Sequence, residues 1–172
     1  MDKPTLQALF GQPPTRAVEY LQQKELMPSE DWWRVQGNAH NKSFVIAHMT
    51  YMDLLSDIRN SLVDAQKNGL NLKEWSATAE DKMRAKGWWG KKTVINPKGQ
   101  EQEVQLGSPR RLRTIYHTNM RSAFSAGRYK AMLEVTETRP FWEYRHITMV
   151  NYREEHKAWN GRILRADDPF WT

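Results

Sequence analysis

Apolar residues recur at intervals of three or four along the first half of the chain, a spacing typical of amphipathic helices. The clearest run begins near Thr50 and places at least one apolar side chain in each turn before Asn68-Gly69. These apolar positions are Leu54, Leu55, Ile58, Leu62 and Ala65. Because glycine readily adopts the left-handed conformation that closes a helix, Gly69 marks the predicted end of this one.

Three further helices are predicted from the same spacing and from residues that favour helix starts. One runs from Arg16 to about Lys24, a second begins at the cap Ser29 and continues through Met49, and a third begins after the cap Asn71 and closes at Gly87. Ser and Asn favour such positions because their side chains accept hydrogen bonds from free backbone N–H groups. The first half of the chain is therefore predicted to be all helix.

The pattern changes at Gly87. Thr93-Val94-Ile95 and the segment 103–106 flank a Pro/Gly turn and predict a β-hairpin. Ser108-Pro109 is a strong helix start, and this helix is predicted to reach about Leu133. Alternating side chains from Phe141 to Val150 predict a strand. The predicted fold class is α+β and mainly helical: a helical region over residues 1–86, then an α+β domain over 87–172 with a hairpin, a long helix and a small sheet.

Positive charge is concentrated in one segment of this 172-residue chain. Residues 82–130 contain twelve Lys and Arg and two Glu, a net charge of +10, which leaves −4 for the rest of a chain whose total is +6. Such a segment is typical of a surface that meets nucleic acid or an acidic protein, although a solvated lysine-rich face has the same composition. The macrodipole disfavours cations in a first helical turn by about 0.3–1 kcal/mol each, so an external anion would explain Arg110, Arg111 and Arg113.

Nine residues of the basic segment are candidate contacts with a protein or nucleic-acid partner. They are Trp88, Trp89, Lys91, Lys92, Arg110, Arg111, Arg113, Arg121 and Arg128. Arg113, Arg121 and Arg128 are eight and seven residues apart and form a partial stripe on the long helix. In Trp88-Trp89 one ring is expected to enter the core while the other stays at an edge. Base stacking is one use of this pair, and packing in the core or in a subunit interface is the favoured one.

Composition and motifs exclude several classes of protein. The chain has no Cys, which excludes disulfide scaffolds, thiolate zinc sites and cysteine nucleophiles. No stretch approaches the roughly 18 apolar residues of a membrane span. Residues 1–12 lack the charged-then-apolar pattern of a signal peptide, so secretion is not expected. There is no Gly-rich phosphate loop and no Gly-x-Ser-x-Gly motif, and no cofactor is implied.

An enzymatic alternative depends on acidic residues and a histidine near the end of the chain. These are Glu154, Glu155, His156, Asp167 and Asp168. Two carboxylates and a histidine could bind a divalent metal, which would make the protein a metal-dependent DNA-processing enzyme. Against this, adjacent glutamates are expected to point in different directions, and Asp-Asp-Pro commonly opens a turn. No catalytic residue and no metal site are therefore predicted, and simple DNA binding remains a further alternative.

Six motifs follow one another in a distinctive order. They are Ala85–Lys91, Glu103–Pro109, Leu112–Asn119, Ala126–Lys130, Arg139–Tyr144 and His156–Gly161. The series resembles the F-like minor head proteins of Mu-type bacteriophages, the phage head morphogenesis family. The likeness extends to Pro13-Pro14 and to Met52-Asp53-Leu54-Leu55, and so covers nearly the whole chain.

The resemblance implies a non-enzymatic virion component inside the capsid at the portal vertex, assembled in the host cytoplasm. Its implied partners are the portal protein and other head proteins, with packaged DNA as a further candidate and no membrane or small-molecule substrate. In the segment where the family usually has Asp-x-Arg-Thr-Arg-Pro-x-His, Met149 and Asn151 replace the Asp and the first Arg, while Arg153 and His156 match. The family's usual His…Pro-Pro…Cys-Arg-Cys ending is absent, so we expect a C-terminally shortened form.

Overall fold

The computed structural model describes residues 14–29, 42–95, 99–146 and 153–171. The chain divides into two compact units, Met1–Gly127 and Arg128–Thr172, and each is described by itself. Five α-helices and three two-stranded sheets form the described part, which confirms the mainly helical α+β class. None of the described helices is both long and apolar enough to span a membrane.

Three helices of the first unit agree with the sequence pattern. They are α1 (Thr15–Gln23), α2 (Met52–Asn68) and α3 (Leu72–Ala85). Helix α2 closes as predicted, because Gly69 has φ 66° and donates its N–H to the carbonyl of Ala65. Helix α3 opens on a capping box in which Asn71 accepts hydrogen bonds from the backbone, while the Glu74 side chain accepts one from the backbone N–H of Asn71.

Replacing the cap of α3 tests how much this local signal contributes. Asn71→Ala removes the acceptor for the N–H groups of Lys73 and Glu74, which lie 2.9 and 3.1 Å from Asn71 Oδ1. We expect the free energy of unfolding to fall by about 1 kcal/mol in urea denaturation, while Asn71→Asp keeps most of it. Equal stability of Asn71→Ala and the parent chain would show that the cap contributes nothing.

The predicted helix through residues 43–49 is wrong. Ser43–Phe44 forms the short strand β2, which pairs in parallel with β1 (Glu25–Leu26). Ser29 continues this contact through bridges to Ala47 and Met49. A short apolar run rich in aromatic and β-branched residues fits a strand or a helix by periodicity, and here the partner strand decides between them. The earlier part of that predicted helix, residues 30–41, lies outside the described residues.

The hairpin and the long helix follow the prediction closely. Strand β3 (Lys91–Ile95) pairs antiparallel with β4 (Glu101–Gln105), and α4 covers Pro109–Glu134. Helix α4 crosses α1 closely at Gly127, where a Cβ atom would lie 2.9 Å from the backbone nitrogen of Ala17. Glycine is therefore required there for space.

The core of the first unit joins residues from α1 through to α4. Its largest fully buried side chains are Trp75, Trp88, Phe44, Leu21, Met49, Leu54, Leu55, Ile58, Leu62, Met83 and Leu112. The Trp75 indole N–H donates to Ser61 Oγ at 3.0 Å, and the Tyr116 hydroxyl donates to the Leu70 carbonyl at 2.6 Å. This core joins residues before and after position 86. The division of the chain into a partner-docking region 1–86 and a domain 87–172 stays a prediction.

The second unit is a small aromatic cluster on a two-stranded sheet. Strand β5 (Phe141–Glu143) pairs antiparallel with β6 (Ile163–Arg165), with α5 (Glu154–Trp159) between them and a 3₁₀ turn over Pro169–Trp171. Edge-to-face ring contacts join the members of this cluster: Tyr129, Trp142, Tyr144, Trp159, Phe170 and Trp171. The strand predicted over residues 141–150 is confirmed for 141–143 and wrong for 144–146, because the partner strand β6 begins at Ile163, opposite Glu143. Residues 147–150 lie outside the described part.

Candidate interaction surface

One face of α4 carries a line of exposed basic residues. Arg110, Arg113, His117 and Arg121 follow one another at intervals of three and four residues, and all four are exposed; we call the three arginines the cationic stripe. Helical geometry places such positions on one side of the helix, while Leu112, Ile115 and Ala123 are buried in the core. Sequence analysis identified the three arginines and missed His117. It could have been found because it lies four residues from both Arg113 and Arg121, on the same helix face.

The arginines of the cationic stripe have no acidic neighbour within the part of the chain that the structure describes. No ion pair or side-chain hydrogen bond there engages the guanidinium groups of Arg110, Arg113 and Arg121. Phe124 follows at the same helical spacing and exposes 52% of its surface. Arg128 comes one further turn along α4 as the first residue of the second unit, and it too is exposed.

Arg111 has a different environment from its neighbours. One of its amino groups donates to the carbonyl of Gln105, the other donates to the carbonyl of Ala47 at 2.7 Å, and its guanidinium lies 4.8 Å from the centre of the Trp88 ring. Burial lowers the pKa of Arg111, although a guanidinium remains charged at any physiological pH. Arg111 thus ties the start of α4 to the hairpin and to the segment after β2.

The two tryptophans of the basic segment separate as the alternation predicted. Trp88 is 2% exposed, and its indole N–H donates to the carbonyl of His48 at 2.7 Å. Trp89 is half-buried, and the guanidinium of Arg84 lies 4.6 Å from the centre of its ring. Stacking of a base on Trp88 would require that ring to leave the core.

The lysines near the hairpin differ in their partners. Lys91 Nζ lies 2.6 Å from a carboxylate oxygen of Glu103 on the facing strand, and Lys86 Nζ lies 2.5 Å from one of Asp53. Lys92 is exposed and has no acidic partner among the described residues. Of these three lysines, only Lys92 therefore keeps its charge available for an external anion.

The Asp53–Lys86 pair makes a prediction about pH. The hydrogen bond from Lys86 and the one from the backbone N–H of Leu54 lower the pKa of Asp53, and Asp53 raises the pKa of Lys86. Because the pKa of Asp53 is depressed in the folded chain, any stabilisation by the pair is present at neutral pH and is lost as pH falls through that pKa. Lys86→Ala should raise the pKa of Asp53 in an NMR titration, and Lys82→Ala should leave it unchanged. An unchanged pKa in Lys86→Ala would contradict the assigned cause.

The acidic and histidine residues of the enzymatic alternative are not brought together. His156 Nδ1 lies 2.6 Å from the Tyr144 hydroxyl, and Asp167 binds the guanidinium of Arg165 at 2.9 and 3.0 Å. Asp168 accepts a hydrogen bond from the backbone N–H of Phe170. Among the described residues, which include all five of these candidates, no three acidic or histidine side chains are placed to hold a metal ion.

A groove of about 710 Å³ runs beside the start of α4, on the side next to the cationic stripe. Residues 45–47 form one wall, and positions between Arg110 and Asn119 of α4 form the other, with Gln105 and Ser108 at one end. Sequence analysis could not find this groove, because it placed residues 45–47 in a helix.

Fold and surface together define a mainly helical α+β protein that exposes a cationic helix face. Residues 56–172 match the family described as phage Mu protein F like protein. The chain belongs to this family, which confirms the resemblance seen in its motifs.

Two curated relatives align with most of the chain. It is 35% identical over 159 residues to the putative capsid assembly protein F of Escherichia phage Mu, covering 92% of this chain and 36% of that protein. It is 38% identical over 141 residues to the Mu-like prophage FluMu F protein of Haemophilus influenzae, covering 82% of this chain and 33% of the relative. The chain therefore spans about a third of the length of these relatives. No solved structure matches it.

Proposed function

We propose that the chain is a non-enzymatic structural component of a phage head. In this role it joins the capsid interior at the portal vertex during assembly in the host cytoplasm, by contacting the portal protein and other head proteins. The name of its phage Mu relative, a putative capsid assembly protein, supports this proposal. The observation that carries it is the cationic stripe, a line of exposed arginines without acidic neighbours among the described residues.

The chemistry of the cationic stripe favours an acidic protein surface as its partner. Arg110 and Arg121 are eleven residues apart, which corresponds to roughly 16 Å along a helix, a length that suits contact with a neighbouring subunit. Guanidinium groups bind carboxylates through paired hydrogen bonds. The exposed ring of Phe124 adds an apolar contact at one end, and Arg and Phe are both enriched in protein interfaces.

Reversing the charge of the stripe tests the proposal. In Arg113→Glu/Arg121→Glu, two attractive contacts become repulsive, and we expect the amount of portal protein recovered with the chain to fall at least about tenfold. The control Lys67→Glu/Lys73→Glu makes the same change in net charge at two exposed lysines on α2 and α3. The measurement is co-purification from cells that produce both proteins, with circular dichroism to establish that each variant is folded. Equal recovery with both variants would exclude the stripe as the contact.

DNA is the second candidate partner, because the same exposed guanidinium groups suit phosphates. If DNA binds, a plot of the logarithm of the DNA association constant against the logarithm of the salt concentration should have a slope of about −0.9 for each phosphate contacted. Arg113→Glu/Arg121→Glu should make this slope less steep. Salt-insensitive or absent binding would remove this candidate. In either case DNA incubated with the chain and Mg²⁺ or Mn²⁺ should stay intact. Cleavage that is lost in Glu154→Ala/Asp168→Ala would replace the proposal with the enzymatic alternative.

A further inference from the structure

The groove beside α4 contains a guanidinium group that pairs with no acidic residue in the part of the chain that the structure describes. Two of the five N–H donors of Arg111 go to the carbonyls of Ala47 and Gln105. Within the described part of the chain no carboxylate pairs with Arg111, and no Asp or Glu lines the groove. Arg111 is half-buried and keeps N–H donors beyond those two, so this wall of the groove is suited to an anionic group.

The remaining walls of the groove are suited to aliphatic side chains. Val45, Ile46 and Ile115 line it, and Thr114 and Thr118 contribute hydroxyl groups. Its volume of about 710 Å³ is large enough for several side chains of a bound segment.

Nucleic acid fits these walls poorly. Single-stranded nucleic acid binds by stacking bases on aromatic rings, and no ring of the described residues lines the groove, because Trp88 lies buried beneath Arg111. The combination of a cationic rim and an aliphatic floor instead matches a protein segment that carries both acidic and apolar side chains.

We infer that the groove docks a short segment of another head protein in which one or two Asp or Glu residues stand beside aliphatic residues. The carboxylate binds Arg110 and the free N–H groups of Arg111, and the aliphatic side chains pack on the half-buried Val45. This inference rests on the proposed function. It adds the chemistry of the partner segment and a second contact site, which shares only Arg110 with the cationic stripe.

Site-specific photo-crosslinking tests the occupant of the groove. The probe is Thr118→p-benzoylphenylalanine, which places a crosslinking ring in the groove, and the matched control is Ser125→p-benzoylphenylalanine, at an exposed position of α4 outside it. Each full-length chain is produced together with the complete set of head proteins of its phage. Heads are purified and irradiated, and the crosslinked peptides are mapped by mass spectrometry. We expect position 118 to react with one segment of another head protein that contains Asp or Glu next to aliphatic residues, and position 125 not to react with that segment.

A charge reversal at the rim separates docking from chance proximity. Arg110→Glu should reduce the crosslink at position 118, measured per incorporated copy, at least about fivefold, and Lys73→Glu should leave it unchanged. If the purified heads contain the chain, three results would overturn this inference but not the proposed function. Position 118 would react with nucleic acid, with this chain or a second copy of it, or with a segment that lacks acidic residues. A crosslink no stronger than at position 125, or one insensitive to Arg110→Glu, would do the same. If the purified heads do not contain the parent chain, the proposed function is wrong and this inference is wrong with it.

Discussion

Gly107→Ala is expected to lower the free energy of unfolding by about 3 kcal/mol, the upper end of the usual cost of overpacking a fixed site. A Cβ atom at this position would lie 2.3 Å from a ring carbon of Trp89 and 2.6 Å from the backbone carbonyl oxygen of Trp88. The Trp89 ring can turn, but the Trp88 backbone cannot move without cost. The backbone N–H of Trp88 donates to the Met83 carbonyl at 2.8 Å, and the Trp88 indole N–H donates to the backbone carbonyl of His48.

Urea denaturation of Gly107→Ala should be compared with that of Gly99→Ala. Gly99 has φ +77° and open space around the added carbon, so its substitution carries only the left-handed backbone cost of about 1–2 kcal/mol. Gly107→Ala should therefore be the less stable of the two. If both variants unfold at the same urea concentration with the same slope, the close approach to Trp88 is not a real constraint.

Arg111→Ala is expected to lower the free energy of unfolding by about 2–3 kcal/mol, because it removes two charge-assisted hydrogen bonds to backbone carbonyls and uncovers an aromatic ring. The carbonyls belong to Ala47 and Gln105, and the ring is that of Trp88. Arg111→Lys keeps the charge but lacks the planar group that reaches both carbonyls and stacks on the ring. It should therefore lose a large part of the same stabilisation.

Arg110→Ala is the matched control for this effect. Arg110 is adjacent in sequence but exposed, and its guanidinium has no partner in the described part of the chain, so the change should stay within about 0.5 kcal/mol. Equal stabilities of Arg111→Ala and Arg110→Ala would mean that Arg111 does not hold the segment after β2 in place.

Elements with a strong local signal could be predicted from the sequence. Helix α2 has both the apolar spacing and the closing Gly69, and α3 has the capping residue Asn71. Helix α4 begins at Pro109, where the missing N–H is harmless. In each case the residues that define the element lie within a few positions of one another, so the pattern is visible without knowing what the element packs against.

The segment 43–49 had no such signal and was predicted wrongly. Its conformation depends on pairing with Glu25–Leu26 and Ser29, which lie fourteen or more positions away in the chain. Recognising those pairs requires the path of the chain between them. The groove beside α4 was missed for the same reason, since one of its walls is made by this segment.

The candidate contact residues show the same division. Their charge and helical spacing could be predicted from the sequence. With 3.6 residues per turn, Arg113 and Arg121, which are eight residues apart, lie on roughly the same face of a helix. Which of them meet solvent depends on neighbours from distant parts of the chain. Arg111 differs from Arg110 by one position, about 100° around the helix, and that rotation directs it onto Trp88 and the carbonyl of Ala47.

Local patterns were thus sufficient for the fold class, the family, the long helix and its basic character. Only the tertiary structure decides which arginines bind the chain's own carbonyls and which stay exposed on the surface. It also creates the groove, whose two walls are more than sixty positions apart in the chain. The physical reason is that helix formation depends on residues three or four apart, whereas burial and pairing of a charge depend on every segment that packs around it.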